Sequence, residues 1–530
     1  MDDPSDWLLT PEERGNPASD LSAWTAGNLA EPLVHGSAYF DRLVDVVEGM
    51  GAGDHLYFTD WRGDPDERLR DGGPTVAELF ARALDRGVCV RGLVWRSHMD
   101  RMQFSKEQNR AMDREVENSG GRVVLDQRVR WMGSHHQKFV VARHPLDPSR
   151  DVAFVGGIDL CHGRRDDSDH AGDPQPVPMA SVYGDRPAWH DVQLQIRGPA
   201  VAAIETVFRE RWNDPTSPLA HNPIAWVRGK LKSARLQPEK LPDPLPPPPP
   251  CGPHLVQPLR TYPTIRASYR FAPDGERSVA RGYRKAVKRA RRLVYIEDQY
   301  LWSADVARLF CDALTDSPDL HLVVVVPRAP DHEGRFSEVP QYIGHRQAIQ
   351  RCREAGPGRV HVFDVENPAG MPVYVHAKVC VIDDTWAAVG SDNFNRRSWT
   401  HDSELSAAVV DTTRDLREPH DPAGTGDGAR TFARDLRLRL AREHLDLPDD
   451  GSRDDLVLDP ADFVATLEAR AAALDGWHLG GRRGPRPPGR LRPHRADPLP
   501  LLTKLWATPL YRLVVDPDGR PLRMRLAKRF

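Results

Sequence analysis

The chain lacks any run of eighteen apolar residues, so no segment reads as a membrane-spanning helix. It lacks a strong charge of either sign: 73 Lys and Arg stand against 76 Asp and Glu, a net −3, which gives no global case for nucleic-acid binding. It lacks an apolar leader. Met1-Asp-Asp-Pro-Ser-Asp6 is acidic, so the expectation is a protein without a secretory signal. Cysteine is sparse and unpaired in pattern. Cys89, Cys161, Cys251, Cys311, Cys352 and Cys380 form no CxxC pair and no Cys/His zinc spacing, so a reduced cytoplasmic protein without a structural zinc is expected.

What is present is enough apolar residue, 39% of 530, to build two or three domains. The clearest boundary is Leu241-Pro-Asp-Pro-Leu-Pro-Pro-Pro-Pro-Pro250, which cannot form a helix or a central strand and reads as a stiff extended spacer. The chain divides into an N-terminal segment 1–34, a first half 35–235, a Pro-rich linker 236–253, a second half 254–415 and a helical, basic region 416–530. Residues 418–428 read as a loop, and residues 429–444 and 460–474 as helices. The last fifty residues, 481–530, hold 13 Arg and Lys against 3 Asp, a local charge of +10. Two readings follow: a basic stretch packed on an acidic body, or an arm drawn to an anionic membrane at about 1 kcal/mol per basic residue.

The two sides of the linker share one order of elements. Strand signals at 55–61 and 293–300 are followed by helical patterns at 76–85 and 305–314. Buried-strand runs follow at 88–95 and 320–326, then helices at 106–118 and 341–354, then strands at 122–126 and 359–364. This order, repeated, predicts an α/β protein of two duplicated α-β-α sandwich halves with mixed, largely parallel sheets sharing one active site.

The repeat extends to the residues with chemistry. His136-Gln-Lys138 matches His376-Ala-Lys378, and each is followed by a strand-like run and a small-residue turn, Gly156-Gly157 and Gly390-Ser391. Two halves facing one another bring two imidazoles and two ammonium groups into one cleft. That set suits a singly charged phosphodiester. The lysines neutralise non-bridging oxygens and the charge that builds in the transition state. One histidine attacks phosphorus and the other protonates the leaving oxygen. Opposite protonation states at one pH are accessible to histidine. Each imidazole needs an orienting carboxylate. Asp191 is the candidate for His136, and Glu404 for His376. Asp159 and Asn393 sit at turns expected to face the cleft. His135 should point away from it. No metal and no cofactor is expected, because the site offers no carboxylate cluster of the kind a divalent cation prefers.

These residues resemble the phospholipase D superfamily, whose signature H-x-K-x-x-x-x-D occurs twice. His376-Ala-Lys378-Val-Cys-Val-Ile-Asp383 matches it in full and continues as Gly390-Ser391-Asp-Asn393-Phe-Asn395-Arg-Arg-Ser398, similar to the family's G-S-x-N-x-N-x-R-S. Residues 154–164, 189–191 and 295–301 look like the branch that holds the plant and animal enzymes and bacterial relatives. The resemblance covers roughly residues 35–415. It implies a metal-independent phosphodiesterase acting on a phospholipid and yielding phosphatidate plus head-group alcohol. Catalytic roles fall on His136, Lys138, His376, Lys378, Asp191 and Glu404, and substrate contacts on Asp159, Asn393, Ser391 and Gly157. Asp383 and Asn395 are motif residues with structural roles. By analogy His136 is the nucleophile. The expected partners are a phospholipid and, peripherally, a membrane surface, with no nucleic acid. The expected state is a monomer in the cytoplasm, at the inner face of the membrane when engaged.

Three alternatives stand beside this reading: a phosphatidyltransferase such as a cardiolipin or phosphatidylserine synthase, a nuclease, and a catalytically silent phospholipid-binding module. One departure marks the first half. Arg143 occupies the position of the motif acid, and the hairpin that follows is six residues longer than its counterpart. Asp147 or Asp151 is expected to supply the missing carboxylate. The insert 163–188, with Arg164, Arg165 and Asp166 to Asp169, reads as a loop on the cleft rim that selects the head group.

Overall fold

The computed structural model describes residues 6–97, 106–218, 239–266, 268–301, 303–331, 338–495, 507–527 and 529–530. The first half contributes strands β1 (Thr25–Val34), β2 (His55–Asp60), β3 (Cys89–Trp95), β4 (Arg122–Asp126), β5 (Phe139–Arg143), β6 (Val152–Gly156), β7 (Ala188–His190) and β8 (Val192–Arg197). The second half contributes β9 (His254–Tyr262), β10 (Glu276–Arg277), β11 (Leu293–Asp298), β12 (His321–Val325), β13 (Val360–Glu366), β14 (Pro372–Val375), β15 (Lys378–Ile382), β16 (Trp386–Gly390) and β17 (Glu404–Asp411). A late strand, β18 (Leu491–Pro493), joins them.

The two sheets have the same order. The first runs β4-β3-β2-β5-β6-β8-β1. The second runs β13-β12-β11-β15-β16-β17-β9, with β14 and β18 on β13. β1 pairs with both β8 and β9 and so joins the sheets. The mixed α/β class read from the sequence is what forms. The parallel share is smaller than expected: among the described strands it is confined to β2-β3-β4, β11-β12-β13 and the β14–β7 pair. The β-strand-helix-strand units at the start of each half need parallel pairing. The His-x-Lys strand and the turn strand that follow are joined by hairpins, and these two and the carboxylate strand pair antiparallel.

Alternation along the strands sorts side chains to two faces. Tyr57, Val141, Val155 and Leu194 of the first sheet meet Val389 and Ala407 of the second in one core, which the helices Ala200–Trp212 and Thr431–His444 complete. Leu56, Phe58, Val140 and Phe154 face outward under the helices Gly36–Glu48 and Val76–Asp85. Ile296, Cys380 and Ala388 do the same under Ser278–Arg289 and Ala304–Asp316.

The Pro-rich segment is extended and strapped to the first half. Trp212 Nε1 donates to Glu239 O at 2.8 Å, Arg209 Nη1 to Pro242 O at 2.7 Å and Arg143 Nη2 to Pro246 O at 2.6 Å. Carbonyls of a proline run have no sheet partner, and these donors take them.

The basic tail is packed on acidic residues of the body. Arg490 binds Asp446 at 2.8 Å, Arg492 binds Asp475 at 2.7 Å, Arg486 binds Glu366 at 3.3 Å and Arg520 binds Asp305 at 2.8 Å. β18 adds main-chain pairing to β13.

Candidate active site

Both histidines of the repeat stand in extended chain just before a central strand, and their lysines stand at the start of it. A cross-over between the halves builds their surroundings. β7 of the first half pairs parallel with β14 of the second, with Tyr374 opposite Trp189 and Val375 opposite His190. This carries Asp191, the residue after β7, to His376, the residue after β14. In the mirror arrangement, His135 bridges Ser403 in parallel and so carries Glu404 to His136. Main-chain bonds fix both junctions: the His376 N–H donates to His190 O at 2.7 Å, and the His136 N–H to Ser403 O at 2.9 Å.

The orienting carboxylates are therefore exchanged relative to the sequence expectation. His376 Nδ1 lies 2.7 Å from Asp191 Oδ2, and His136 Nδ1 lies 2.9 Å from Glu404 Oε2. Each half supplies the carboxylate for the other half's imidazole. Linear proximity suggested pairing within a half, and a sequence does not display contacts made across a pseudo-dyad. Both acids are fully buried, whereas 16% of the His136 side chain and 7% of His376 are exposed.

Behind the carboxylates lie Ser391 and Gly157, at equivalent turns. Ser391 Oγ donates to Glu404 Oε2 at 2.6 Å. At Gly157 a Cβ would sit 2.2 Å from Asp191 Oδ1, so only glycine leaves room for that acid. Both were expected to touch substrate. The structure instead makes them supports for the acids that hold the imidazoles, Ser391 by a hydrogen bond to Glu404 and Gly157 by the space it leaves for Asp191.

Lys138 Nζ donates to His136 O at 3.0 Å and lies 3.6 Å from Asp159 Oδ2. Lys378 Nζ donates to His376 O and lies 3.5 Å from Gln299 Oε1. Asp159 Oδ1 accepts the amides of Trp61 at 2.9 Å and Arg62 at 3.2 Å, so this acid fixes a turn and faces Lys138. Its counterpart by position, Asn393, keeps a buried Oδ1 without a partner among the described residues. Asn395 caps the short helix Arg396–Thr400 through Oδ1, accepting the Ser398 amide at 2.7 Å. His135 is buried with Nε2 3.1 Å from Gln137 Oε1.

Burial pushes the His376 imidazole well below its usual range, and Lys378, Arg164, Lys138 and His136 act in the same direction. Burial also pulls the Lys378 ammonium down to about 8, with Asp191 and Asp298 opposing.

The motif acid behaves differently in the two halves. Asp383 accepts three amides in a row, from Arg291 at 2.7 Å, Arg292 at 2.9 Å and Leu293 at 2.8 Å, which ties the start of β11 to the end of β15. In the first half, Asp151 is the replacement. It takes the His144 amide at 2.6 Å and Arg143 Nε at 2.8 Å, and Arg143 also binds Glu205. Asp147, the other candidate, only caps a surface turn through Ser149.

Residues that sequence reasoning had not placed at the site are the aromatic ones, Trp189 and Trp61, and Arg164 of the rim insert packs on the first of them. The Trp189 ring centre lies 4.7 Å from that of His376, and Arg164 Cζ lies 3.8 Å over the same indole. The Trp61 ring meets His136 edge-on at 6.3 Å. Trp189 sits two residues before Asp191, and that adjacency was the available signal. The insert 163–188 crosses to the second half, where the Ala180 amide donates to Asp331 O at 2.8 Å.

The sequence model described as "Phospholipase D" matches residues 64–237, and the one described as "Cardiolipin synthase, PLD-like domain" matches residues 284–418. The chain belongs to the phospholipase D superfamily. Among curated relatives, it is 25% identical to phospholipase D alpha 1 of Cynara cardunculus over 77% of this chain and 64% of the relative. It is 24% identical to phospholipase D alpha 2 of Arabidopsis thaliana over 84% of this chain and 68% of the relative. The chain thus spans about two thirds of the length of these relatives. Among solved structures, phosphatidylserine synthase of Haemophilus influenzae superposes with a TM-score of 0.50 at 13% identity, over 77% of this chain and 88% of that one, a likeness of fold.

Proposed function

We propose that this chain is a phospholipase D that cleaves the distal phosphodiester of a phospholipid through a covalent phosphohistidine. The observation that carries this reading is the crossed pair of His–carboxylate contacts, each beside a buried lysine, in one site built from both halves. One imidazole attacks phosphorus through Nε2 while its Nδ1–H is held by the carboxylate. The P–O bond to the head group breaks, and the second imidazole gives its proton to the departing oxygen. That imidazole then takes a proton from water, which attacks phosphorus and releases phosphatidate and the free histidine. Lys138 and Lys378 counter the charge on the equatorial oxygens.

The two imidazoles are not equivalent. Attack requires the neutral form, and burial together with Lys378 holds His376 in it. This favours His376 as the attacking group, whereas the family resemblance favours His136. Mass-spectrometric localisation of the phosphatidyl adduct in acid-free quenched enzyme separates the two.

The test uses phosphatidylcholine vesicles with ethanol, with and without brief exposure to a chelator. Phosphatidate and phosphatidylethanol should both form, and turnover should survive the chelator. An alcohol series that leaves phosphatidate as the only product would count against a shared covalent intermediate. A transferase is the second reading, favoured by the cardiolipin-synthase description of the second-half match. Supplying phosphatidylglycerol as acceptor and finding cardiolipin in excess of phosphatidate would establish it. The basic tail as a membrane-binding element, and a cytoplasmic location, belong to the same proposal. The tail's +10 charge supports contact with an anionic surface made by a tail docked on the body, because its ion pairs weigh against a free arm.

A further inference from the structure

Directly behind Asp191 lies a buried cluster that the mechanism does not use. His35, His170, His190 and Glu443 present ligand atoms that all lie within 4.8 Å of one another. His35 Nε2 is 2.7 Å from Glu443 Oε2, and His170 Nε2 is 3.0 Å from Glu443 Oε1. His190 Nδ1 is 3.5 Å from Glu443 Oε1 and, beyond that ion pair, has no hydrogen-bond partner among the described residues, although the residue is fully buried.

We propose that these four residues form a closed, structural zinc site. Three arguments carry it. The donor set is three imidazoles and one carboxylate, the N/O set that suits a four-coordinate zinc ion. The rings radiate instead of stacking: His35 meets His170 at 4.8 Å and 82°, and His190 at 5.1 Å and 71°, between ring centres. A tetrahedral ion about 2.1 Å from each nitrogen separates ring centres by about 5 Å. Finally, two of the three imidazoles carry a carboxylate on the nitrogen that points away. His190 Nε2 lies 2.6 Å from Glu297 Oε2, and His170 Nδ1 lies 3.5 Å from Asp166 Oδ2. Metal-bound histidine is held in its tautomer by that kind of outer partner. Glu297 is itself shared with His444 Nε2 at 2.7 Å.

The ligands come from positions 35, 170, 190 and 443, so no local spacing could announce them, and the absence of a sequence zinc motif is no argument against the site. Four protein ligands leave no position for substrate, which separates this ion from the chemistry. Its consequence is mechanical. It joins the entry to the helix Gly36–Glu48, the 163–188 insert, β7 and the helix Thr431–His444. Its His190 ligand also offers the carbonyl that accepts the His376 amide.

The test is metal content, which does not depend on turnover and so stands apart from the phospholipase reading. Full-length protein from zinc-supplemented cells should carry about one zinc per chain. His170→Gln and Glu443→Gln should carry several-fold less, while His170→Cys, which keeps a ligand, should retain it. Prolonged stripping should lower the thermal midpoint, and zinc, not calcium or magnesium, should restore it. Wild-type protein that purifies without metal, and whose midpoint does not move when zinc is added, overturns the site and leaves a proton-bridged histidine network. So does a His170→Cys protein that folds like the wild type but has lost the metal along with His170→Gln.

Discussion

A neutral imidazole attacks through Nε2 in one tautomer only, an imidazolium donates from Nε2 only when its ring is correctly aimed, and the acid on Nδ1 decides both. The exchange of acids therefore makes a specific claim about single residues. Asp191→Asn should disturb His376 and leave His136 in place, and Glu404→Gln the reverse. Each should lower turnover by about 10²–10⁴-fold. Histidine ¹⁵N spectra check the pairing: the His376 Nδ1 resonance should shift in Asp191→Asn while that of His136 stays. Lys378 yields a second expectation. Its ammonium, drawn down to about 8, is cationic below that pH and neutral above it. A neutral amine no longer attracts the phosphodiester, so kcat/KM should fall as pH rises through about 8. Lys378→Arg stays charged, so its alkaline limb should move upward even though its rate is lower. A profile flat from pH 7 to 10 in the wild type would contradict this. Among these residues, the His-x-Lys repeats were legible because local chemistry and periodicity both mark them. The pairing of acids to imidazoles was not, because it is made by strand contacts between β7 and β14 and between His135 and Ser403, which are far apart in the chain.

Elements show how one repeat solved a structural problem twice. The second half ends its His-x-Lys strand with Asp383, which collects three amides. The first half places an arginine there and lengthens the hairpin until Asp151 returns to meet it. Arg143 and Asp151 are both fully buried. Breaking a buried pair by removing one partner costs about 3–5 kcal/mol. Asp151→Ala should therefore destabilise the protein on that scale in urea unfolding. Asp147→Ala, on an exposed turn, should stay within about 0.5 kcal/mol. Equal effects at the two positions would refute the assignment. The departure itself was readable from the sequence, as was the pair of acids that could answer it. Choosing between them required knowing that the hairpin tip is exposed while Asp151, at its return, is buried, and the net of Arg143, Asp151, Glu205 and Pro246 O involves residues more than a hundred positions apart. The βαβ portions of each half were legible almost to their ends, since period and turn chemistry agree there. The antiparallel remainder was underestimated, because an apolar run bounded by turns gives no direction of pairing.

At the scale of the molecule, the C-terminal region is part of the body. Phe432, Leu436 and Leu440 of the helix Thr431–His444 fill the core between the sheets. Arg434 and Arg437 of that helix clamp Asp384, at 3.1 Å and 2.6 Å, beside the motif acid Asp383. Asp516 of the tail accepts the Arg397 amide at 2.8 Å, next to the G-S-x-N-x-N-x-R-S turn. Deleting residues 481–530 should therefore lower the thermal midpoint by several degrees and should cost turnover of a soluble phosphodiester as well as of vesicles. A truncated protein that keeps its midpoint and loses only vesicle binding would restore the reading of the tail as a detachable arm. Composition alone could not decide this, since charge counts do not show what a charge is paired with.

The crossing of acids between halves also changes what a rate measures. Neither half holds an oriented imidazole by itself, because His136 awaits an acid carried by the second half and His376 one carried by the first. The catalyst is in effect a heterodimer whose two members are joined by a proline strap, and the strap sets the concentration at which each sees the other. If the strap were cut and the halves diluted, turnover would become second order in protein, and its dependence on concentration would report the affinity of the halves for one another.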